Sequence, residues 1–323
     1  MKRVNIAILG LGTVGRGTYQ ILDQNRLSIQ EKTGCDIQVT KIYDRSFDAK
    51  YQALGIPASA KVTDPQEIFD DPDIAIVVES VGGVELSADW MLAALRSGKS
   101  VVTPNKAAVA ARYNALKEAA QKASVQIRME ACVGGGIPVL TAITEPLAGN
   151  QFTEIMGIVN GTTNYILTKM TEEGASYEDV LKDAQAKGFA EADPTADVEG
   201  LDAANKLTIL MALAMDTYIP PAKIPTRGIS QITADDISAA AAKGAKIKLI
   251  AHASKDENGN ITCSVGPEEL PASHPLAGVS NEFNAIYLTG NAVGEVMLYG
   301  KGAGSLPTGS AVVGDIMAIA KSL

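Results

Sequence analysis

Asp202 and Lys206 stand four residues apart in a run, Asp197 to Met215, that is otherwise rich in Leu, Ile, Met and Ala. That spacing puts both on one face of a helix. An exposed pair of this kind contributes only about 0.3–0.5 kcal/mol. In so apolar a helix the pair is expected to be at least partly buried, where charges are costly unless they have many partners or a task. A lysine held by a carboxylate has one obvious task, proton transfer. The alternative is a surface salt bridge on an amphipathic helix. On an ideal helix Glu199 would share the face, within about 60° of Asp202 and Lys206. Glu191, Asp193 and Asp197 lie just ahead. They could neutralise a ligand's ammonium, or simply suit the positive end of the helix dipole.

Gly10, Gly12 and Gly15 form G-x-G-x-x-G between an apolar run, Val4–Leu9, and a helical pattern through Tyr19, Ile21 and Leu22. This is the context of the dinucleotide fingerprint. Gly10 permits the turn, Gly12 lets a pyrophosphate approach the backbone, and Gly15 lets helix and strand pack closely. The second strand ends in Asp44-Arg45. An acidic residue there accepts from the ribose 2′-OH of NAD, whereas an arginine pairs with the 2′-phosphate of NADP. Both stand side by side, and the expectation is NAD(P) with a lean to NADP. Thr103-Pro-Asn-Lys106 follows a strand at the carboxyl edge where such sheets bind ligands, so Thr103 is a candidate cofactor contact and Lys106 can face the nicotinamide or the substrate; a helix N-cap turn with an exposed lysine is the alternative. Glu130 through Pro138 is a glycine-rich turn whose carbonyls, with the Glu130 charge, could face a hard cation. By composition alone a flexible domain junction explains it as well. Taken together, the glycine turn and the lysine pair suggest a nicotinamide enzyme whose proton donor is a lysine.

Composition narrows the rest. A net charge of −9 argues against nucleic acid and anionic membranes as partners. No apolar run is long enough for a membrane span, and the chain enters a strand pattern at once, without a signal peptide. Three scattered cysteines, Cys35, Cys132 and Cys263, fit a reducing, cytoplasmic compartment and no disulfide framework. The two histidines, His252 and His274, are too few for a zinc site and read as structural or exposed.

The elements that must position these residues alternate. Strands are expected at Val4–Leu9, Ile37–Tyr43, Ile74–Val78, Ser100–Thr103 and Val125–Glu130, with helices between. This rhythm predicts an α/β fold with a Rossmann-type doubly wound parallel sheet. After Pro138 come a helix to about Leu147 and then Phe152–Val159, Ala245–Ala253, Ile261–Val265, Ala285–Thr289 and Val293–Tyr299. These predict a second, mixed α+β domain. The expected domains are 1–148, completed by 300–323 with a final helix at Asp315–Ala320, and 149–299.

Six segments carry a family resemblance: Gly10–Gly15, Thr103–Lys106, Glu130–Pro138, Asn160-Gly-Thr-Thr-Asn-Tyr-Ile166, Gly188–Lys206 and Gly302-Ala-Gly-Ser-Leu-Pro-Thr308. In this order, over essentially the full length, they resemble homoserine dehydrogenase. The resemblance implies reversible conversion of L-aspartate 4-semialdehyde to L-homoserine with NAD(P)H, on the route to threonine, methionine and isoleucine. It implies a central domain that binds substrate and forms a homodimer or larger homo-oligomer. Lys206 would be the proton donor, Asp202 its orienting carboxylate and a substrate neighbour, and Lys106 a second lysine at the reaction centre. Glu191 and Asp197 would bind the substrate through its amino group. Glu130 with the carbonyls of Val133, Gly135 and Ile137 would hold a monovalent cation, sodium. Thr13, Val14, Gly15, Arg45, Lys106 and Gly302 match cofactor-contacting positions.

Lys301 stands where a proline is expected and Phe189 where a tyrosine is often found. The chain stops at Leu323, so no regulatory ACT domain and no kinase portion is expected. The competing readings are another NAD(P)-dependent amino-acid dehydrogenase and a catalytically silent NAD(P)-binding redox sensor.

Overall fold

Ile74–Glu79 reads Ile-Ala-Ile-Val-Val-Glu, and five of its six residues are buried. β-branched residues suit such a doubly covered strand, because their stiff side chains pack well on a pleated surface. The computed structural model describes residues 1–46, 51 and 54–323. In chain order the elements are β1 (Lys2–Leu9), α1 (Thr13–Gln24), α2 (Arg26–Thr33), β2 (Cys35–Tyr43), β3 (Lys61–Val62) and α3 (Gln66–Phe69). Then come β4 (Ile74–Glu79), α4 (Glu85–Arg96), β5 (Ser100–Val102), α5 (Lys106–Ala123) and β6 (Ile127–Arg128). The central elements are α6 (Val139–Thr144), β7 (Phe152–Ile158), α7 (Gly161–Glu173), α8 (Tyr177–Ala186), α9 (Thr195–Val198) and α10 (Leu201–Ala214). The chain closes with α11 (Ala234–Ala242), β8 (Ala245–Lys255), β9 (Ile261–Pro271), β10 (Phe283–Gly290), β11 (Gly294–Lys301) and α12 (Ser305–Ser322).

Two compact units result: Met1–Gly136 with Ala303–Leu323, and Ile137–Gly302. The first holds a parallel sheet in the order β3-β2-β1-β4-β5-β6. This is the strand order of the dinucleotide-binding fold, with its switch point between β1 and β4. Its core joins Ile6, Ile8, Ile76 and Val78 of the sheet to Val312, Val313, Ile316 and Ile319 of α12. The final helix therefore starts ten residues earlier than the sequence pattern suggested. Pro307 and the neighbouring glycines read as loop, yet a proline is tolerated in a first turn, where N–H groups have no intrahelical partner. The glycines allow close packing: a Cβ on Gly17 would lie 2.3 Å from the Ser305 carbonyl oxygen, and one on Gly309 would lie 2.8 Å from Gly17.

The second unit holds an antiparallel sheet in the order β11-β10-β7-β8-β9. Helices α7, α10 and α11 pack on β8. Helix α6, grouped above with the first domain, belongs here and packs on α10. The run from Asp197 is not one helix. It breaks at Gly200, whose φ of +80° favours glycine. A Cβ there would also press on Thr226 and Val265, at 3.0 and 3.1 Å. Glu199 consequently lies in the turn against Gly228, not on the face of Asp202 and Lys206.

Candidate active site

In the first unit, β1 runs directly into the glycine turn. Gly10 adopts φ +96°, closed to most side chains, and its N–H donates to the Tyr43 carbonyl at 2.8 Å. A Cβ on Gly15 would lie 2.0 Å from the Gly10 carbonyl oxygen, so only glycine lets α1 start there. A Cβ on Gly12 would meet nothing within 4 Å, leaving that face of the turn open. No side chain caps α1, and no acidic residue occupies its first turn, where Thr13, Val14 and Gly15 lie. An uncapped helix start behind an open glycine is an anion site, and the geometry fits a dinucleotide pyrophosphate.

Asp44 faces this turn. Its Oδ2 accepts from the Leu11 N–H at 2.6 Å and its Oδ1 from the Ser46 N–H at 2.7 Å. It thus ties the end of β2 to the glycine turn. Arg45 beside it is exposed.

Thr103 is fully buried. Its hydroxyl donates to Oε2 of the equally buried Glu79 at 2.8 Å and accepts from the Asn105 N–H at 3.0 Å. Thr103 therefore shapes the turn that Lys106 follows. Asn105 caps α5 by accepting from the Ala108 N–H, which leaves Lys106 as the first residue of that helix.

Glu130 is buried at the head of a short turn, and its N–H donates to Asp315 Oδ2 at 2.8 Å. Gly134 and Gly135 take positive φ, +71° and +55°. Val133 and Gly135 belong to the first unit, while Ile137 opens the second and its carbonyl accepts from the Val139 N–H. Among the described residues no group of three or more His, Cys, Asp or Glu could hold a metal.

The second unit builds a polar cluster around Asp202 and Lys206, which are 7% and 8% exposed. Lys206 Nζ donates to Asp202 Oδ2 at 2.6 Å and to the Val159 carbonyl at 2.5 Å. Asn160 Nδ2 donates to the same Asp202 oxygen at 3.0 Å and to Asp197 Oδ1 at 2.7 Å. Asn160 is also the N-cap of α7, its Oδ1 accepting from the Thr163 N–H at 2.9 Å. The Thr162 hydroxyl donates to the Phe189 carbonyl at 2.6 Å and lies 3.3 Å from Asp197 Oδ2. One amide thus joins two carboxylates, and one of those holds a lysine. The bland alternative of a solvated surface pair does not describe this burial.

Of the three carboxylates ahead of α10, only Asp197 joins this cluster. Asp193 accepts from the Thr195 N–H, and Thr195 holds its carboxyl below the usual range. Glu191 is exposed, its carbonyl accepting from Gln185 Nε2 at 3.0 Å. The Phe189 ring packs on Tyr165, with centroids 4.9 Å apart. Gly302 lies tightly on Asn284, since a Cβ there would be 2.0 Å from Asn284 Nδ2. Asn160 and Thr162 were not singled out as site residues by residue chemistry. The signal was present only in the string Asn-Gly-Thr-Thr-Asn, where a helix N-cap stands beside a hydroxyl.

A parallel sheet of this order, with a glycine turn feeding an uncapped helix, defines a nicotinamide-dinucleotide oxidoreductase when joined to a unit carrying a buried lysine–carboxylate cluster. Residues 10–130 match the NAD-binding domain family of homoserine dehydrogenase, and residues 138–317 match the homoserine dehydrogenase family itself. The chain belongs to the homoserine dehydrogenase family, as an NAD(P)-dependent oxidoreductase. It is 45% identical over 323 residues to the homoserine dehydrogenase of Bacillus subtilis, covering 100% of this chain and 74% of that protein. The crystal structure of a homoserine dehydrogenase from Thiobacillus denitrificans superposes with a TM-score of 0.95 at 43% identity, covering 99% of this chain and 74% of that one. A hyperthermophilic archaeal homoserine dehydrogenase in complex with NADPH gives 0.83 at 30% identity, covering 99% and 98%. Among the described residues no helix is long and apolar enough to cross a membrane.

Proposed function

We propose that the enzyme reduces L-aspartate 4-semialdehyde to L-homoserine with Lys206 as the proton donor, and runs the reverse reaction with the same residue as base. The observation that carries this reading is the buried Lys206–Asp202–Asn160 cluster with the half-buried Asp197 joined to it. The bound nicotinamide supplies the hydride. As negative charge grows on the carbonyl oxygen, the Lys206 ammonium stabilises it more than the neutral aldehyde, which is the condition for acceleration. Two ammonium hydrogens are directed by Asp202 and the Val159 carbonyl. An ammonium has three, so the third is left for substrate oxygen. Asp202 aims the ammonium through the 2.6 Å hydrogen bond it accepts. Asp197, and Glu191 from the exposed segment before it, would offer negative charge to the substrate's amino group.

NADP is the favoured cofactor. Asp44 is tied to the Leu11 and Ser46 N–H groups, and the exposed Arg45 beside it would meet the ribose through a 2′-phosphate. The NADPH bound by the archaeal relative agrees with this reading. Gly302 would contact the same cofactor. Glu130 and the carbonyls of Val133, Gly135 and Ile137 would hold a monovalent cation, and their all-oxygen chemistry suits sodium. A homodimer, a cytoplasmic location and a place in threonine, methionine and isoleucine synthesis complete the proposal.

The test is reduced-nicotinamide absorbance with L-homoserine and NAD⁺ or NADP⁺, for the unaltered enzyme and Lys206→Ala. A faster NADP⁺ reaction and a loss of roughly 10²–10⁴ in turnover on substitution are expected. A variant that keeps most of its activity would return the proton to Lys106 or to water.

A further inference from the structure

Lys248, near the start of β8, is 2% exposed and takes no part in the chemistry above. Its ammonium donates to two neutral oxygens, the Val279 carbonyl at 2.6 Å and Asn164 Oδ1 at 3.0 Å. Burial pushes its pKa down to about 8, with the Lys246 charge adding to the effect and Glu172 opposing it. A buried cation among neutral groups is costly, and an apolar side chain of the same length would avoid that cost. What the ammonium can do, and an apolar chain cannot, is grip two acceptors on different elements at once.

Those acceptors lie on α7 and on the loop Val279–Phe283. Asn164 extends the same tie, its Nδ2 donating to the carbonyls of Val279 and Phe283 at 3.3 and 3.0 Å. One turn further along α7, the Thr168 hydroxyl accepts from the Asn281 N–H at 3.0 Å. The loop therefore lies along the first two turns of α7. At its near end the fit is tight, since a Cβ on Gly161 would lie 2.7 Å from the Glu282 carbonyl oxygen. Gly161 is the residue between Asn160 and Thr162, which hold Asp197 and Asp202.

We propose that Lys248 is a positioning residue for the substrate site: its ammonium pins the 279–283 loop against the start of α7, and the loop fixes Asn160 and Thr162. This rests on the assignment of the Asp197–Asp202–Lys206 cluster to the substrate. Lys248→Met fills the same volume and cannot donate. Steady-state kinetics for homoserine, cofactor affinity by reduced-nicotinamide fluorescence, and thermal unfolding are measured on this variant and, in parallel, on Asp197→Asn.

The expected result is at least a tenfold rise in homoserine KM, with cofactor affinity within twofold of the unaltered enzyme. A lower unfolding temperature with unchanged KM would mean a purely structural role and overturn the inference. An unchanged KM in Asp197→Asn would instead overturn the assignment of the site. If Asp197→Asn raises KM and Lys248→Met does not, the positioning role alone fails. Should Lys248→Met not fold, Thr168→Val carries the test, because it unties the same loop at Asn281 and leaves the ammonium in place. A three- to tenfold rise in KM is then expected, and no rise overturns the inference.

Discussion

Asn160 performs two separable tasks, and two substitutions distinguish them. Its Oδ1 caps α7 through the Thr163 N–H, while its Nδ2 joins Asp197 to Asp202. Serine caps a helix about as well as asparagine, whereas alanine loses about 1 kcal/mol. Neither can supply the amide donor. Asn160→Ser and Asn160→Ala should therefore differ in stability by about 1 kcal/mol, or roughly 2–4 °C in melting temperature for a unit of this size. They should lose activity alike. A hydrogen bond to a charged group contributes about 1.5–3 kcal/mol, so a cluster that orients Lys206 through Asp202 should lose roughly 10- to 150-fold in kcat/KM. The assay is the initial rate of NADPH oxidation with aspartate semialdehyde, beside thermal unfolding of each variant. If Asn160→Ser kept kcat/KM within threefold of the unaltered enzyme, the amide would not organise the site and the reasoning would fail.

Other outcomes follow from the glycine turn, the cofactor and a histidine. Gly15→Ala forces a Cβ to 2.0 Å from the Gly10 carbonyl oxygen and should cost about 1–3 kcal/mol of stability, whereas Gly12→Ala meets nothing in the protein. Gly12→Ala should melt normally and lose cofactor affinity, which unfolding and fluorescence titration together would check. Arg45→Ala should raise KM for NADP⁺ by roughly 10- to 100-fold, the loss of a charge-assisted bond, and leave NAD⁺ within twofold. Equal effects on both cofactors would exclude a phosphate contact. His252 lies between Glu268 and Glu154, 3.2 Å from each, and the Glu268 bond leads in raising its pKa. A raised folded-state pKa means added stability that is full below about pH 6.5, the unfolded value, and lost as pH rises through the folded value. The stability gap between the unaltered enzyme and His252→Gln should therefore narrow between pH 5.5 and 8.5, and a gap that widens would reverse the sign of this argument.

The legible parts of this protein were the local ones. The Gly10–Gly15 turn and the apolar runs of β1 and β4 carry their meaning within a few residues, so the parallel sheet followed from them. Strand β3 spans two residues, too few for any periodicity. The break at Gly200 was hidden because a single glycine is tolerated in a helical pattern, and what decides here is the positive φ and the nearby Thr226 and Val265. The lysine pair of α10 was visible from its spacing. Its partner Asn160 was not, since Asp197 and Asp202 are 37 and 42 residues away from it and only the fold brings them together. Lys248 illustrates the same limit, because a lysine in a strand gives no hint that its ammonium ends on a buried carbonyl.

Helix α12 supplies Val312, Val313, Ile316 and Ile319 to a core whose other half is built from β1, β2 and β4. The halves are separated along the chain by the whole of Ile137–Gly302. On the ribosome, at about 5–20 residues per second, the first strands thus emerge roughly fifteen to sixty seconds before the helix that covers them. During that interval the second unit, contiguous in sequence, can fold by itself. The nucleotide-binding unit, begun first, is thus completed after the second, and until then the sheet face that α12 covers stays open to solvent. Pulse proteolysis of stalled nascent chains ending before and after Ser305 would register this as protection of β1 and α1 that appears only in the longer chain.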